Sequence, residues 1–122
     1  MTRVIITGDR DFYNPGIFNN IMTYYLADIP CDQLEIICCA KNCSQNQSQS
    51  HLGADTMAVK YADDWRIKCT TFNLVPNMID YAIKADWCIV IIFRFGTRDD
   101  EYIGYVINYA RKFDLELHII EF

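Results

Sequence analysis

One uninterrupted apolar run constrains the fold of this chain more than any other feature. Residues 87–93 read WCIVIIF, seven positions without a charge. A run that is rich in β-branched residues and too short to cross a membrane is typical of a strand buried on both faces. Such strands occur in parallel sheets that carry helices on both sides, so the run predicts an α/β protein.

Strand and helix patterns alternate along the whole chain around this run. Asn14 and Pro15 start one helical pattern, Gly53 and Pro76 precede two others, and the last covers residues 99–113. The alternation predicts a mainly parallel five-stranded sheet with helices on both faces, joined by right-handed crossovers, in a single domain of residues 1–122. The strands are expected at residues 3–7, 34–39, 67–72, 86–93 and 115–120.

Composition and charge limit the classes of partner. The 122 residues are 52% hydrophobic, which is ample for one core. The net charge of -5 argues against a nucleic-acid-binding surface. We expect no membrane partner and a cytoplasmic location, because a strand-like run begins at Arg3 where a signal peptide would need a longer apolar segment.

Six cysteines raise the question of disulfides or a metal site. Several of them lie inside apolar runs, which favours reduced thiols that act as small core residues. Cys38, Cys39, Cys43 and His51 are the candidate metal ligands, but their spacing matches no usual zinc pattern. We therefore expect no metal and no cofactor.

Cationic residues lie in three of the turns that follow predicted strands, although the chain as a whole is acidic. In open parallel sheets, ligands bind outside the carboxyl ends of the strands, where those turns lie. Local cations there favour a phosphate-bearing ligand, because the guanidinium group binds phosphate oxygens in pairs. The alternative is that the arginines form solvated ion pairs with the aspartates at positions 9, 11, 99 and 100. The candidate ligand-binding residues are Gly8, Arg10, Lys41, Gly53, Asp55, Arg94, Gly96, Thr97 and Arg98.

The turn at Gly96 and Thr97 is the predicted phosphate site. It lies between the buried strand and a helix, and backbone N–H groups with the helix dipole favour an anion there. Arg10 is expected to approach from the first turn, with Arg94 or Arg98 on the other side. Gly53 and Asp55 are expected to line the ribose or base end, where a carboxylate accepts hydrogen bonds from sugar hydroxyls.

Two further segments allow two interpretations each. Residues 44–50 read SQNQSQS, which predicts a polar loop that is either a surface insertion or a lid over a site. Phe12 and Tyr13 follow the first glycine turn, and either stack on a ligand or staple the start of the first helix.

Four motifs resemble the SLOG superfamily, which is related to the cytokinin-activating LOG enzymes and the DNA-processing DprA proteins. They are TGDRDF after the first strand, GADTMAVKYA at a helix start, MIDYA before the buried strand and FGTRDDE after it. The resemblance covers nearly the whole chain and is closest to the small YspA-like proteins of bacteria and phages. It implies a Rossmann-like three-layer fold that binds nucleotides or ADP-ribose-like ligands, often as a homo-oligomer.

The chain departs from the family pattern at positions that matter for catalysis. The glycine pair that relatives keep after the second strand is Cys38 and Cys39 here. The glutamate that LOG enzymes place three residues after the threonine of the glycine turn is Asp100, with Glu101 next to it. These departures weaken the expectation of catalysis more than that of phosphate binding.

Three functions remain open at this point. The first is a binding protein that senses or sequesters a nucleotide-derived signal, such as a defence signal if the chain is phage-encoded. The second is a LOG-type nucleotide N-glycosidase or phosphoribohydrolase, in which Asp100 or Glu101 stabilises an oxocarbenium-like centre or activates water. The third is an interaction module that kept the fold and lost the ligand.

The last predicted helix carries tyrosines beside its aliphatic stripe. Tyr102, Tyr105 and Tyr109 widen the apolar surface beyond what one sheet face covers. Broad exposed apolar surfaces mark contacts between proteins, so we expect a homodimer or a larger homo-oligomer.

Overall fold

A computed structural model of the chain describes residues 1–9, 12–39, 53–94 and 101–122, without the side chains of residues 101 and 102. Strands and helices alternate in these ranges, and each predicted strand boundary lies within one residue of the observed one. In chain order the elements are β1 (Thr2–Gly8), α1 (Pro15–Leu26), a 3-10 helix (Cys31–Gln33), β2 (Leu34–Cys39), α2 (Ala54–Trp65), β3 (Lys68–Phe72), α3 (Val75–Ala82), β4 (Trp87–Arg94), α4 (Glu101–Lys112) and β5 (Glu116–Glu121).

The five strands form one sheet in the order β3-β2-β1-β4-β5, and all neighbours are parallel. The chain therefore builds outward from β1 to β3 and then returns to place β4 on the other side of β1. This reversal is the topological switch point of a doubly wound sheet. The predicted Rossmann-like α/β fold with three layers is confirmed.

Side chains alternate between two separate cores, one on each face of the sheet. Ile89, Ile91 and Phe93 of β4 pack with α1 and α2, whereas Val90 and Ile92 pack with α3 and α4. Because both faces of β4 are covered, every position from 88 to 93 is buried. This explains why the apolar run has no polar interruption.

The helix starts follow local backbone chemistry. The Asn14 side chain accepts a hydrogen bond from the backbone N–H of Ile17 at 3.1 Å and caps α1, with Pro15 in its first turn. Gly53 precedes α2 with a φ of 93°, a conformation that side chains with a Cβ rarely adopt. Both starts agree with the predicted positions.

A buried carboxylate lies near the amino edge of the sheet, on the face that α3 covers. Glu35 of β2 is 1% exposed, and its carboxylate accepts hydrogen bonds from Arg3 at 3.1 Å, Thr70 at 2.5 Å and Tyr81 at 2.7 Å. The ammonium group of Lys68 lies 3.8 Å away. We call these five residues the Glu35 cluster, and it joins β1, β2, β3 and α3.

Neither membrane-spanning segments nor metal clusters are found in the described ranges. None of the helices there has the length and apolar character needed to cross a membrane. No group of three or more His, Cys, Asp or Glu residues in those ranges is placed to hold a metal ion. Cys31, Cys38, Cys39, Cys69 and Cys88 are free thiols, and Cys43 and His51 lie outside the described residues.

Candidate functional site

The candidate site lies at the carboxyl edge of the sheet, where β1 and β4 end side by side. Gly8 pairs with Phe93 in the parallel register, and Arg94 is the last residue of β4. The strand order reverses between these two strands, and ligands of open α/β sheets bind at such a switch point. The fold thus places the strand ends from which the first and fourth predicted turns start next to each other.

Backbone hydrogen bonds connect this edge to the start of α2. The N–H of Asp9 donates to the carbonyl oxygen of Phe93 at 2.7 Å, and the N–H of Phe12 donates to that of Asp9 at 3.0 Å. The N–H of Gly53 then donates to the carbonyl oxygen of Phe12 at 3.0 Å. Two sequence motifs that are far apart in the chain, TGDRDF and GADTMAVKYA, therefore meet beside the end of β4.

Gly8 has a packing reason to be glycine. A Cβ at this position would collide with the carbonyl oxygen of Phe93 and would lie 3.1 Å from the Cβ of Ala54. Gly8 belongs to β1 and is extended, so the close approach of β4 and α2 explains the missing side chain. The first turn of α2 consequently lies directly against the end of β1.

The start of α2 carries a buried carboxyl side chain. Asp55 is in the first turn and is 2% exposed. An ionised carboxylate there is favoured by the helix dipole, and it would repel a phosphate at the same helix start. The roles of Asp55 at the sugar end of a ligand and of the turn after β4 as the phosphate site stay predictions.

Arg94 is a partly buried cation at this edge. Its side chain is 13% exposed, and Nη2 donates to Oε1 of Glu121 at 3.1 Å. Glu121 is its direct neighbour in the register of β4 and β5. The alternative to phosphate binding was that the arginines form solvated ion pairs with aspartates in the turns. The ion pair described for Arg94 is instead with a glutamate of the neighbouring strand.

Two buried hydroxyl groups at this edge make no hydrogen bond among the described residues. They are Oγ1 of Thr7, which is fully buried, and Oγ1 of Thr56 in the first turn of α2. An unsatisfied buried polar group costs about 1–3 kcal/mol, so such groups need an explanation. Neither threonine was among the candidate residues, because a threonine in a strand or a helix start is unremarkable in sequence.

Phe12 and Tyr13 have different environments although they are adjacent. Phe12 is 2% exposed, and its ring stacks on Phe93 with centroids 4.9 Å apart and contacts Phe122 at 4.3 Å. Tyr13 is 49% exposed and lines a cavity of about 170 Å³ between α1 and α2. Phe12 is therefore a core residue, and Tyr13 is the candidate for stacking on a ligand.

Several predicted site residues lie outside the described ranges, and their roles stay predictions. Glu101 begins α4, but its side chain is not described, and the 44–50 segment is also outside. The remaining ones are Arg10, Lys41, Gly96, Thr97, Arg98 and Asp100.

The outer face of α4 carries a row of aromatic rings. Tyr105 stacks on Tyr109 with centroids 5.7 Å apart, and Tyr109 stacks on Phe113 at 6.3 Å. Tyr105 and Phe113 are exposed. The apolar surface that motivated the expectation of self-association is thus present at these positions, and self-association itself stays a prediction.

Comparisons with protein-family models, with curated proteins and with solved structures find no match to this chain. The resemblance to the SLOG superfamily therefore stays a prediction from the motifs.

Proposed function

We propose that this protein binds a nucleotide or an ADP-ribose-like small molecule at the carboxyl edge between β1 and β4. The observation that carries the proposal is the meeting of two motifs, TGDRDF and GADTMAVKYA, beside the end of β4 at the switch point. The segment after β1 is hydrogen-bonded to Phe93 of β4 on one side and to Gly53 at the start of α2 on the other. This is the position at which doubly wound sheets bind nucleotides.

The polar groups at this edge support a phosphate-bearing ligand. Arg94 supplies a positive charge whose carboxylate partner, Glu121, is 49% exposed. A ligand phosphate can compete for that guanidinium group, because both anions accept the same paired hydrogen bonds. The buried hydroxyl of Thr7 is a further donor that has no partner among the described residues.

The departures from the LOG pattern at Cys38, Cys39 and Asp100 favour binding without catalysis. Among the described carboxylates at this edge, Asp9 and Asp55 are buried and Glu121 is paired with Arg94. The proposed role is therefore a sensor or a sequestering protein for a nucleotide-derived signal, in keeping with the resemblance to the SLOG superfamily and its YspA-like bacterial and phage branch.

Two measurements test this function. Mass spectrometry of small molecules released by denaturing the purified protein should find a nucleotide-derived compound. Calorimetry should then find binding to a member of a panel of ADP-ribose isomers, nucleoside monophosphates and cyclic dinucleotides. Release of a free base or ribose phosphate during incubation would instead favour the N-glycosidase, and no binding to any panel member would contradict the proposal.

Substitutions of the arginines at the proposed phosphate site test where the ligand binds. Arg10→Ala and Arg94→Ala should each weaken binding by about 1.5–3 kcal/mol, which is the scale of a charge-assisted hydrogen bond. Glu121→Gln should leave affinity unchanged or tighten it, because it removes the competitor for Arg94 and keeps the cation. Arg111→Ala, an exposed arginine in the last turn of α4, is the matched control and should have no effect. Unchanged binding by both arginine variants would place the ligand elsewhere.

A further inference from the structure

A cavity of about 170 Å³ lies between α1 and α2 and reaches the first turn of α2. Pockets that hold a whole small molecule have volumes of about 300–1,000 Å³, so this cavity has room for one ring system only. It adjoins the proposed site, because Thr56 in its wall follows Asp55 directly and Tyr13 follows Phe12, which is hydrogen-bonded to Gly53.

The inner wall of the cavity is apolar and aromatic. Phe18, Met57 and Tyr61 line it, and all three are buried. The rings of Phe18 and Tyr61 meet edge to face with centroids 6.1 Å apart. Burial raises the pKa of Tyr61, which agrees with a wall that is poorly accessible to water. A flat apolar ring is well suited to such a wall.

Polar groups surround the opening of the cavity. The amide of Asn19 is exposed there and offers both donors and an acceptor, and Oγ1 of Thr56 is buried with no partner in the described ranges. Lys60 and Asp64 form an exposed ion pair at 2.9 Å at the rim. Paired donors and acceptors beside an aromatic surface match the edge of a nitrogen heterocycle, whereas a plain hydrocarbon would leave them unsatisfied.

We propose that this cavity is the subsite for the heterocyclic base of the ligand. The exposed ring of Tyr13 stacks on the base, and the exposed amide of Asn19 forms hydrogen bonds with its edge. This assignment rests on the proposed nucleotide-binding function and adds to it the position of the base, on the face of the sheet that α1 and α2 cover.

Tyr13 variants test the stacking contact with two kinds of probe. The probes are AMP, GMP, CMP and UMP, and ribose 5-phosphate, which has the same sugar and phosphate without a base. Tyr13→Ala should weaken the tightest-binding monophosphate about 5- to 100-fold, the range for loss of one base–aromatic stack. It should leave ribose 5-phosphate within twofold of wild type. Tyr13→Phe keeps the ring and should bind like wild type.

The controls separate this subsite from the proposed function itself. Tyr24→Ala removes a more exposed tyrosine from α1, outside the cavity, and should change the affinity for neither kind of probe. Asn19→Asp removes the amide donors and should change the order of preference among the four monophosphates. If the monophosphates bind and neither Tyr13→Ala nor Asn19→Asp changes affinity or preference, the subsite is wrong and the function stands. If no monophosphate binds wild type, the subsite is wrong, and the function is wrong as well only if no ADP-ribose isomer or cyclic dinucleotide binds.

Discussion

At the amino edge of the sheet the buried carboxylate of Glu35 accepts hydrogen bonds from three neighbours, whereas at the carboxyl edge the buried hydroxyl of Thr7 has none among the described residues. Both groups are almost inaccessible to water. Burial by itself raises the pKa of Glu35, but hydrogen bonds from Thr70, Tyr81 and Arg3 and the charge of Lys68 lower it below its ordinary value.

This difference indicates that the amino edge contributes to stability, whereas the carboxyl edge is suited to ligand binding. A buried charge is tolerated only when its partners are in place, so the Glu35 cluster fixes how β1, β2, β3 and α3 fit together. An unsatisfied hydroxyl carries a cost that a ligand can remove when it binds. The amino edge is therefore complete in the protein alone, and the carboxyl edge is completed by a ligand in the function that we propose.

The largest expected effect is the loss of the Glu35 carboxylate. Glu35→Ala leaves Nε of Arg3 and the hydroxyl of Tyr81 without their acceptor, and it should lower the free energy of unfolding by about 3–5 kcal/mol, the cost of breaking a buried ion pair. Urea denaturation measures this. Asp64→Ala, which breaks the exposed pair with Lys60, is the control and should leave the free energy of unfolding almost unchanged, because solvent screens that pair. If Glu35→Ala lowers the free energy of unfolding by less than about 1 kcal/mol, the Glu35 cluster does not hold the amino edge together.

A second effect tests why Gly8 is glycine. Gly8→Ala should lower the free energy of unfolding by about 3 kcal/mol, at the upper end of overpacking costs, because the new Cβ meets the backbone oxygen of Phe93. Gly104→Ala is the matched control in α4. A Cβ there has no neighbour within 4 Å, so this variant should stabilise by about 0.5–1 kcal/mol. If Gly8→Ala keeps full stability and loses only ligand binding, the glycine serves the ligand and not the packing.

A pair of isosteric variants compares the two edges directly. Thr70→Val removes a hydroxyl that donates to Glu35, and it should cost about 1.5 kcal/mol, the lower end for hydrogen bonds to charged groups. Thr7→Val removes a hydroxyl without a partner in the described ranges, and it should leave stability unchanged or raise it by up to about 1 kcal/mol. Chemical denaturation without ligand measures both. Equal losses for the two variants would show that the edges do not differ in this way.

The fold could be predicted from the sequence because the three central strands, β1, β2 and β4, are buried on both faces along most of their length. Alternating side chains of β4 enter two cores, so its apolar run and the strand boundaries could be read from hydropathy alone. The caps at Asn14 and Gly53 are local features, and local features are visible in sequence.

The sequence could not predict contacts between residues that are far apart. The partners of Glu35 lie 32, 35 and 46 positions away, so a single acid in an apolar strand gave no sign of its cluster. The different roles of Phe12 and Tyr13 also depend on tertiary structure, since only the position of Phe93 and Phe122 decides which ring is buried. The missing partners of Thr7 and Thr56 are invisible for the same reason.

The smallest expected effect is the pH dependence of the amino edge. The pKa of Glu35 in the folded protein lies below its ordinary value of 4.5, so near and below that value the unfolded chain binds more protons than the folded one. The stabilisation by the ionised carboxylate is thus fully present above pH 4.5 and is lost as the pH falls through the folded pKa.

Glu35→Gln isolates this contribution, because glutamine keeps the shape and cannot ionise. Unfolding free energies of wild type and Glu35→Gln should differ most near neutral pH and converge as the pH falls below 4.5. Thr7→Val should show the same pH dependence as wild type, since it leaves the cluster intact. A constant difference between wild type and Glu35→Gln down to acid unfolding would mean that Glu35 is not held in its charged form, and the contrast between the two edges would then rest on hydrogen bonding alone.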